Sequence, residues 1–213
     1  MIVPHTVAEF EYELPSWLRR RSLFVGPIVR RPNGVAIHRL REKYSLASDD
    51  FVLVTTAGGG GLDDDARRLF VVAEAVHRRI GDRKFRHIVV RGPNSALPCQ
   101  IVDQRMTVVD TEPDLVSLFA ISDLVVSAGG YNSVNEIRLT KAPAMFVPGK
   151  RKYDDQTERV RELAECGLAW VAPGQEPDSI ANQVVVIVAD HAARKNVRSQ
   201  LEREPFTKNA ASL

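Results

Sequence analysis

The residues best suited to chemistry are two glycine turns. The first, Gly58-Gly59-Gly60-Gly61, follows the apolar run Phe51 to Thr56 and leads into an amphipathic stretch. Glycine at a helix start lets a ligand approach the backbone closely. The unpaired N–H groups and the positive end of the helix dipole there favour an anion, above all phosphate. A bare tight turn with Asp63 as helix cap reads the same residues without a ligand. Four consecutive glycines favour the phosphate reading.

The second turn runs Ser127-Ala128-Gly129-Gly130-Tyr131-Asn132-Ser133-Val134-Asn135-Glu136. In one reading Gly129 and Gly130 make room for a pyrophosphate, Asn132 and Ser133 present donors at the helix start, and Glu136 accepts from ribose hydroxyls. In the other, Ser133 and Glu136 form an S-x-x-E capping box, which accounts for both residues without a ligand. A third polar loop, Gly149-Lys-Arg-Lys-Tyr-Asp-Asp-Gln156, follows Ala144-Met-Phe-Val-Pro148. Lys150, Arg151 and Lys152 face phosphate or simply solvent. Asp155 and Gln156 together offer the acceptors and donors that a ligand rich in hydroxyls needs.

All three loops hang on a repeating pattern of short apolar run, turn and amphipathic stretch, the signature of βαβ units. Strands are predicted at Phe51–Thr56, His87–Arg91, Met106–Asp110, Asp123–Ser127, Ala144–Val147 and Leu168–Val171, each mostly apolar, as strands covered on both faces are. Leu62, Ala66, Leu69, Ala73, Val76 and Ile80 share one helical face. Weaker helical patterns cover 114–120, 133–140, 156–166 and 177–189, with an entry helix near 35–44. The predicted fold is α/β, a doubly wound, Rossmann-like parallel sheet of about six strands whose ligands gather at the strands' carboxyl ends. Residues 1–30 read as an interdomain linker with the remnant of a preceding domain. Residues 31–203 read as the binding domain and 204–213 as a flexible tail.

Composition narrows the function. The 213 residues are 44% hydrophobic and 26% charged, an ordinary globular balance. A net charge of +2, with acids interspersed among the bases, does not suggest a nucleic-acid partner. Cys99 and Cys166 form no CxxC pair, so no zinc site or disulfide framework is implied. Neither a cofactor nor a metal is expected. Asp63, Asp64 and Asp65 would repel a diphosphate if they faced it, so they are expected to cap the helix and point to solvent. No apolar run reaches the length of a membrane span, and the start lacks a signal-peptide pattern. Localisation is expected to be cytoplasmic, with peripheral membrane contact as an option. Leu14-Pro-Ser-Trp-Leu-Arg-Arg-Arg21 mixes Trp17 with arginines and would suit anionic lipid, although a linker is the preferred reading.

Taken together, the run from Ser127 through Gly129, Asn132, Ser133 and Glu136 to Pro148 and Asp155-Gln156 resembles the donor-binding domain of GT-B glycosyltransferases. The likeness is to family 28, which includes the bacterial N-acetylglucosaminyltransferase of peptidoglycan assembly. It covers roughly residues 22–190 and implies a UDP-sugar donor. Gly58, Gly59, Gly60 and Gly61 match the family's first glycine loop, and Gly129, Gly130, Asn132 and Ser133 its second phosphate turn. The resemblance gives Glu136 the ribose, and Asp155 and Gln156 the sugar hydroxyls. Val25-Gly-Pro-Ile-Val-Arg30 resembles the linker motif, making Arg30 a candidate near the nucleotide. Val109, with Asp110, falls where the family's backbone meets uracil. Gly60 departs from the family, which often places a hydroxyl residue there.

The resemblance further implies an acceptor-binding domain or partner subunit outside this chain, which would supply the catalytic base. No catalytic residue is assigned here, and neither His5 nor His38 is nominated. The alternatives are a nucleotide-sugar hydrolase or epimerase, a non-catalytic subunit that binds a nucleotide sugar, and a dinucleotide-binding domain. The last fails because Asp63 or Asp64 stands where the fingerprint's third glycine is required.

Overall fold

A computed structural model describes residues 1–5, 13–59, 63–149 and 156–204. The chain opens with β1 (Ile2–Val3), a short helix α1 (Ser16–Arg19) and β2 (Leu23–Phe24), with β1 and β2 paired in parallel. Helix α2 (Gly34–Lys43) begins where Asn33 Oδ1 accepts the Val35 N–H at 2.9 Å. Then come β3 (Phe51–Thr56), α3 (Asp63–Arg79), β4 (Phe85–Val90), β5 (Met106–Val109), α4 (Leu115–Ala120) and β6 (Leu124–Ser127). Helix α5 (Tyr131–Thr140), β7 (Ala144–Phe146), α6 (Gln156–Glu165), β8 (Trp170–Val171), α7 (Pro177–Ala189) and α8 (His191–Arg203) complete it.

Strands β3 to β8 form one sheet in the order β5-β4-β3-β6-β7-β8, with every pairing parallel. Alternation along β3 shows how both faces are covered. Leu53 packs with Phe70, Val76 and Val184 under α3 and α7, while Val52 and Val54 pack with Leu40, Phe119 and Ile137 under α2, α4 and α5. The predicted apolar face of α3 holds: Ala66, Leu69, Ala73 and Val76 are all buried.

The six strands stand where the sequence pattern places them, within two residues at each end. Helix α8 was not expected as a separate element. Its amino end is set by Asp190, whose side chain accepts the Ala193 N–H at 2.9 Å. Only Val197 and Leu201 of α8 are buried, too few to produce a strong periodic signal. Residues 205–213, in the expected tail, lie outside the described residues.

Strand order fixes where a ligand site can form. From β3 the chain steps outward through β4 to β5, then returns to β6 and steps the other way. The crevice beyond the carboxyl ends of β3 and β6 is therefore the topological switch point, where doubly wound sheets bind ligands.

Candidate functional site

At the switch point Thr56 of β3 pairs with Ser127 of β6, so the two glycine turns leave the sheet side by side. In the first, the Gly58 N–H donates to Thr56 Oγ1 at 3.1 Å and Gly58 has φ +65°, a conformation L side chains resist. In the second, Gly129 has φ +82°, and a β-carbon on it would stand 2.8 Å from Cγ1 of the buried Val160. Only glycine fits that backbone.

Helix α5 starts two residues earlier than its sequence pattern suggests. Gly130 is the N-cap residue, with no side-chain cap, and the first helical bond runs from the Val134 N–H to the Gly130 carbonyl at 2.9 Å. Ser133 is thus the third helical residue and not the cap, so the capping box does not form. The N–H groups of Tyr131, Asn132 and Ser133 precede the helical ladder and carry the positive end of the α5 dipole. Ser133 instead turns to the neighbouring turn: a β-carbon on Gly58 would lie 3.6 Å from its Oγ.

Between the turns lies a cleft of ≈ 360 Å³. Of the predicted site residues, Gly58, Gly59, Gly130, Asn132, Ser133 and Gln156 line it. Ser127, which opens the family-like run but was given no role there, also lines it, as do Tyr131 and Asn94, which were not singled out from the sequence. The hydroxyl of Ser127 is fully buried and has no hydrogen-bond partner among the described residues, an uncompensated polar atom of the kind that marks ligand contact. Asn94 follows β4 in the loop Gly92-Pro93-Asn94, so a fourth carboxyl-end loop was the signal that could have found it.

The remaining predicted residues sit around this cleft. Gln156 is buried, and its Oε1 accepts the Gly149 N–H at 3.3 Å, tying the start of α6 to the end of the β7 loop. Glu136, one turn further along α5, is half-buried; burial raises its carboxyl above the usual range, and the charge of Arg30 partly opposes that rise. Arg30 also donates to the Pro113 carbonyl at 3.3 Å, so the linker residue and the acid of α5 stand together. Val109 already accepts the Arg91 N–H at 2.9 Å through its carbonyl. Gly60, Gly61 and Asp155, like Lys150 to Lys152, lie outside the described residues.

One expectation is corrected. Asp64 is exposed, but Asp65 is buried and does not point to solvent. It pairs with Arg68 at 2.9 Å, and Arg68 also reaches the Pro148 carbonyl at 3.4 Å. Its charge is thereby neutralised while it braces α3 against the β7 loop. The spacing of Asp65 and Arg68, three apart on one helix, was the available signal.

A second cavity of ≈ 440 Å³ lies at the other end of the sheet, lined by Lys43, Arg83, Arg86 and Arg105 among others. It is larger and basic, yet Lys43 pairs with Glu112, Arg86 with Asp50 and Arg105 with Asp103. It also sits beside the amino ends of β4 and β5, opposite to where such sheets bind ligands. The smaller cleft is the candidate site.

Fold and crevice together define a Rossmann-like α/β domain with its ligand cleft at the switch point. The sequence profile of the glycosyltransferase family 28 C-terminal domain matches residues 54–213. The chain belongs to that family. It is similar to two enzymes named UDP-N-acetylglucosamine--N-acetylmuramyl-(pentapeptide) pyrophosphoryl-undecaprenol N-acetylglucosamine transferase. The one from Paracidovorax citrulli is 41% identical over 59 residues, covering 27% of this chain and 17% of the relative. The one from Verminephrobacter eiseniae is 36% identical over 64 residues, covering 30% and 18%.

Among solved structures, the calicheamicin glycosyltransferase CalG4 is similar at a TM-score of 0.60 and 20% identity, over 90% of this chain and 45% of that one. UGT2 of Phytolacca americana, solved with UDP-2-fluoro-glucose and pterostilbene, follows at 0.59 and 20%, over 85% and 41%. A putative UDP-N-acetylglucosamine 2-epimerase from Listeria monocytogenes shares the fold at 0.60 and 12%, over 86% and 47%. The chain thus spans under half the length of these neighbours, and its match covers under a fifth of the curated relatives.

Proposed function

We propose that this chain is the nucleotide-sugar-binding half of a glycosyltransferase that moves a hexosyl or N-acetylhexosaminyl group from a UDP-sugar to an acceptor hydroxyl. The observation that carries the reading is the convergence of the Gly58 and Gly129 turns on one cleft at the switch point, with the amino-terminal turn of α5 at its wall. Family membership and the UDP-sugar named for the two curated relatives support the choice of donor.

In this proposal the diphosphate sits against Gly58, Gly59, Gly130 and the N–H groups of Asn132 and Ser133. Fixed donors there stabilise the charge that grows on the leaving diphosphate as the glycosidic bond breaks. Glu136 takes the ribose hydroxyls, with Arg30 beside it, and Gln156 the sugar, as the family resemblance implies. Residues 1–30 act as linker to an acceptor-binding domain or subunit that supplies the base; 31–203 form the donor domain and 204–213 a tail. The exposed Trp17, beside Arg19, Arg20 and Arg21, supports peripheral contact with an anionic membrane. No helix among the described residues is long and apolar enough to cross one.

Calorimetric titration with UDP, UDP-sugars and adenine dinucleotides tests the reading. Uridine compounds bind, and Glu136→Ala weakens them by about 1 to 3 kcal/mol, the scale of a lost hydrogen bond to a charged group. Preference for the adenine dinucleotides refutes the donor assignment. Release of free sugar, or its epimerisation without acceptor, in the complete enzyme refutes transfer.

A further inference from the structure

Arg159 lies on α6, behind the second glycine turn and outside the cleft lining. Its Nη1 donates to the Gly129 carbonyl at 3.2 Å. The guanidinium stands 5.4 Å from the centre of the Tyr131 ring, a cation–π contact that fixes its direction. Tyr131 is held in turn: its hydroxyl donates to the Pro4 carbonyl at 2.5 Å, and the His5 ring lies 4.4 Å from its own.

The Gly129 carbonyl and the Gly130 N–H belong to one peptide unit. No peptide bond among the described residues is cis, so these two groups point in opposite directions. A bond that draws the carbonyl back toward α6 therefore turns the Gly130 N–H the other way, and Gly130 lines the cleft. That N–H donates to no protein acceptor among the described residues. The hydroxyl of Ser127, buried in the same cleft without a partner among the described residues, independently marks this wall as a place where a ligand acceptor is missing.

We propose that Arg159 is a positioning residue for the donor diphosphate. By holding the Gly129 carbonyl it presents the Gly130 N–H to a phosphate oxygen. The role of the arginine is exerted through the turn, not by contact with substrate. This inference rests on the donor-site reading above and adds to it a residue that neither the glycine motif nor the family resemblance singled out.

The test compares UDP with uridine, which lacks the diphosphate, on the wild-type chain, on Arg159→Lys, which keeps a donor, and on Arg159→Met, which has none. Wild type binds UDP more tightly than uridine. The methionine variant lowers that preference at least tenfold while its uridine affinity stays within about twofold, and the lysine variant keeps most of it. An unchanged preference in the methionine variant, or an equal loss of uridine affinity, overturns the proposal. Whatever the variants do, the wild-type Gly130 amide proton shifts downfield on adding UDP and not on adding uridine. A Gly130 amide indifferent to bound UDP overturns it as well. Absence of any UDP binding by wild type is a different result, and removes the donor reading together with this one.

Discussion

A β-carbon on Gly58 would lie 3.6 Å from Oγ of Ser133, although 75 residues separate them in the chain. This proximity makes one site of two turns. It follows from the pairing of Thr56 with Ser127, which starts both turns at the same level of the sheet.

The two glycines differ in what a side chain would cost. Gly58→Ala meets ordinary contact at 3.6 Å, so only its φ of +65° is unfavourable, and a loss of about 1 to 2 kcal/mol is expected. Gly129→Ala combines φ +82° with a 2.8 Å approach to the buried Val160, so its loss is larger, about 2 to 4 kcal/mol. Urea unfolding of both variants decides this; a smaller loss for Gly129→Ala contradicts the account.

Arg30 and Glu136 are coupled through charge. Burial raises the Glu136 carboxyl, and Arg30 is the group that opposes the rise. Removing the cation by Arg30→Ala therefore moves the Glu136 titration to still higher pH, as followed by carbon NMR of its carboxylate. An unmoved titration means the linker does not sit beside α5 in solution.

Stability should also fall in mild acid, because of two histidines far from the site. His87 is fully buried, its Nε2 sits 2.8 Å from Thr55 Oγ1, and desolvation, assisted by the charge of His77, pushes it down to about 3. Burial likewise lowers His77, against the opposing pull of Asp103. Below the ordinary histidine range near 6.5 the unfolded chain binds protons that the folded chain refuses. Stability is therefore full above about 6.5 and declines as pH drops toward 3, by up to about 1.4 kcal/mol per pH unit for His87, with His77 acting in the same direction. Urea midpoints at pH 7 and pH 5 check the sign; equal midpoints contradict it, and His87→Gln should flatten the slope.

Much of this was legible in the sequence because parallel strands covered on both faces write nearly continuous apolar runs, as Phe51–Thr56 and Leu124–Ser127 do. The glycine turns were legible for the same reason, since each follows such a run. What the sequence left undecided was the role of Ser133, for a capping box and a ligand turn use the same letters, and only the start of α5 at Tyr131 separates them. Asp65 was misread because its partner Arg68 and its place against the β7 loop are tertiary facts. The role of Ser127, and Asn94 and Arg159 altogether, escaped for a similar reason: their meaning comes from what they face across the cleft or the turn, not from spacing.

In the proposed donor site the crevice between β3 and β6 holds the diphosphate of a nucleotide sugar. A crystal structure of the chain with bound UDP tests it most directly. The expected complex has phosphate oxygens within hydrogen-bond distance of the Gly130 and Ser133 N–H groups, beside Gly58. A diphosphate found instead among Lys43, Arg83 and Arg86, at the opposite end of the sheet, would contradict it.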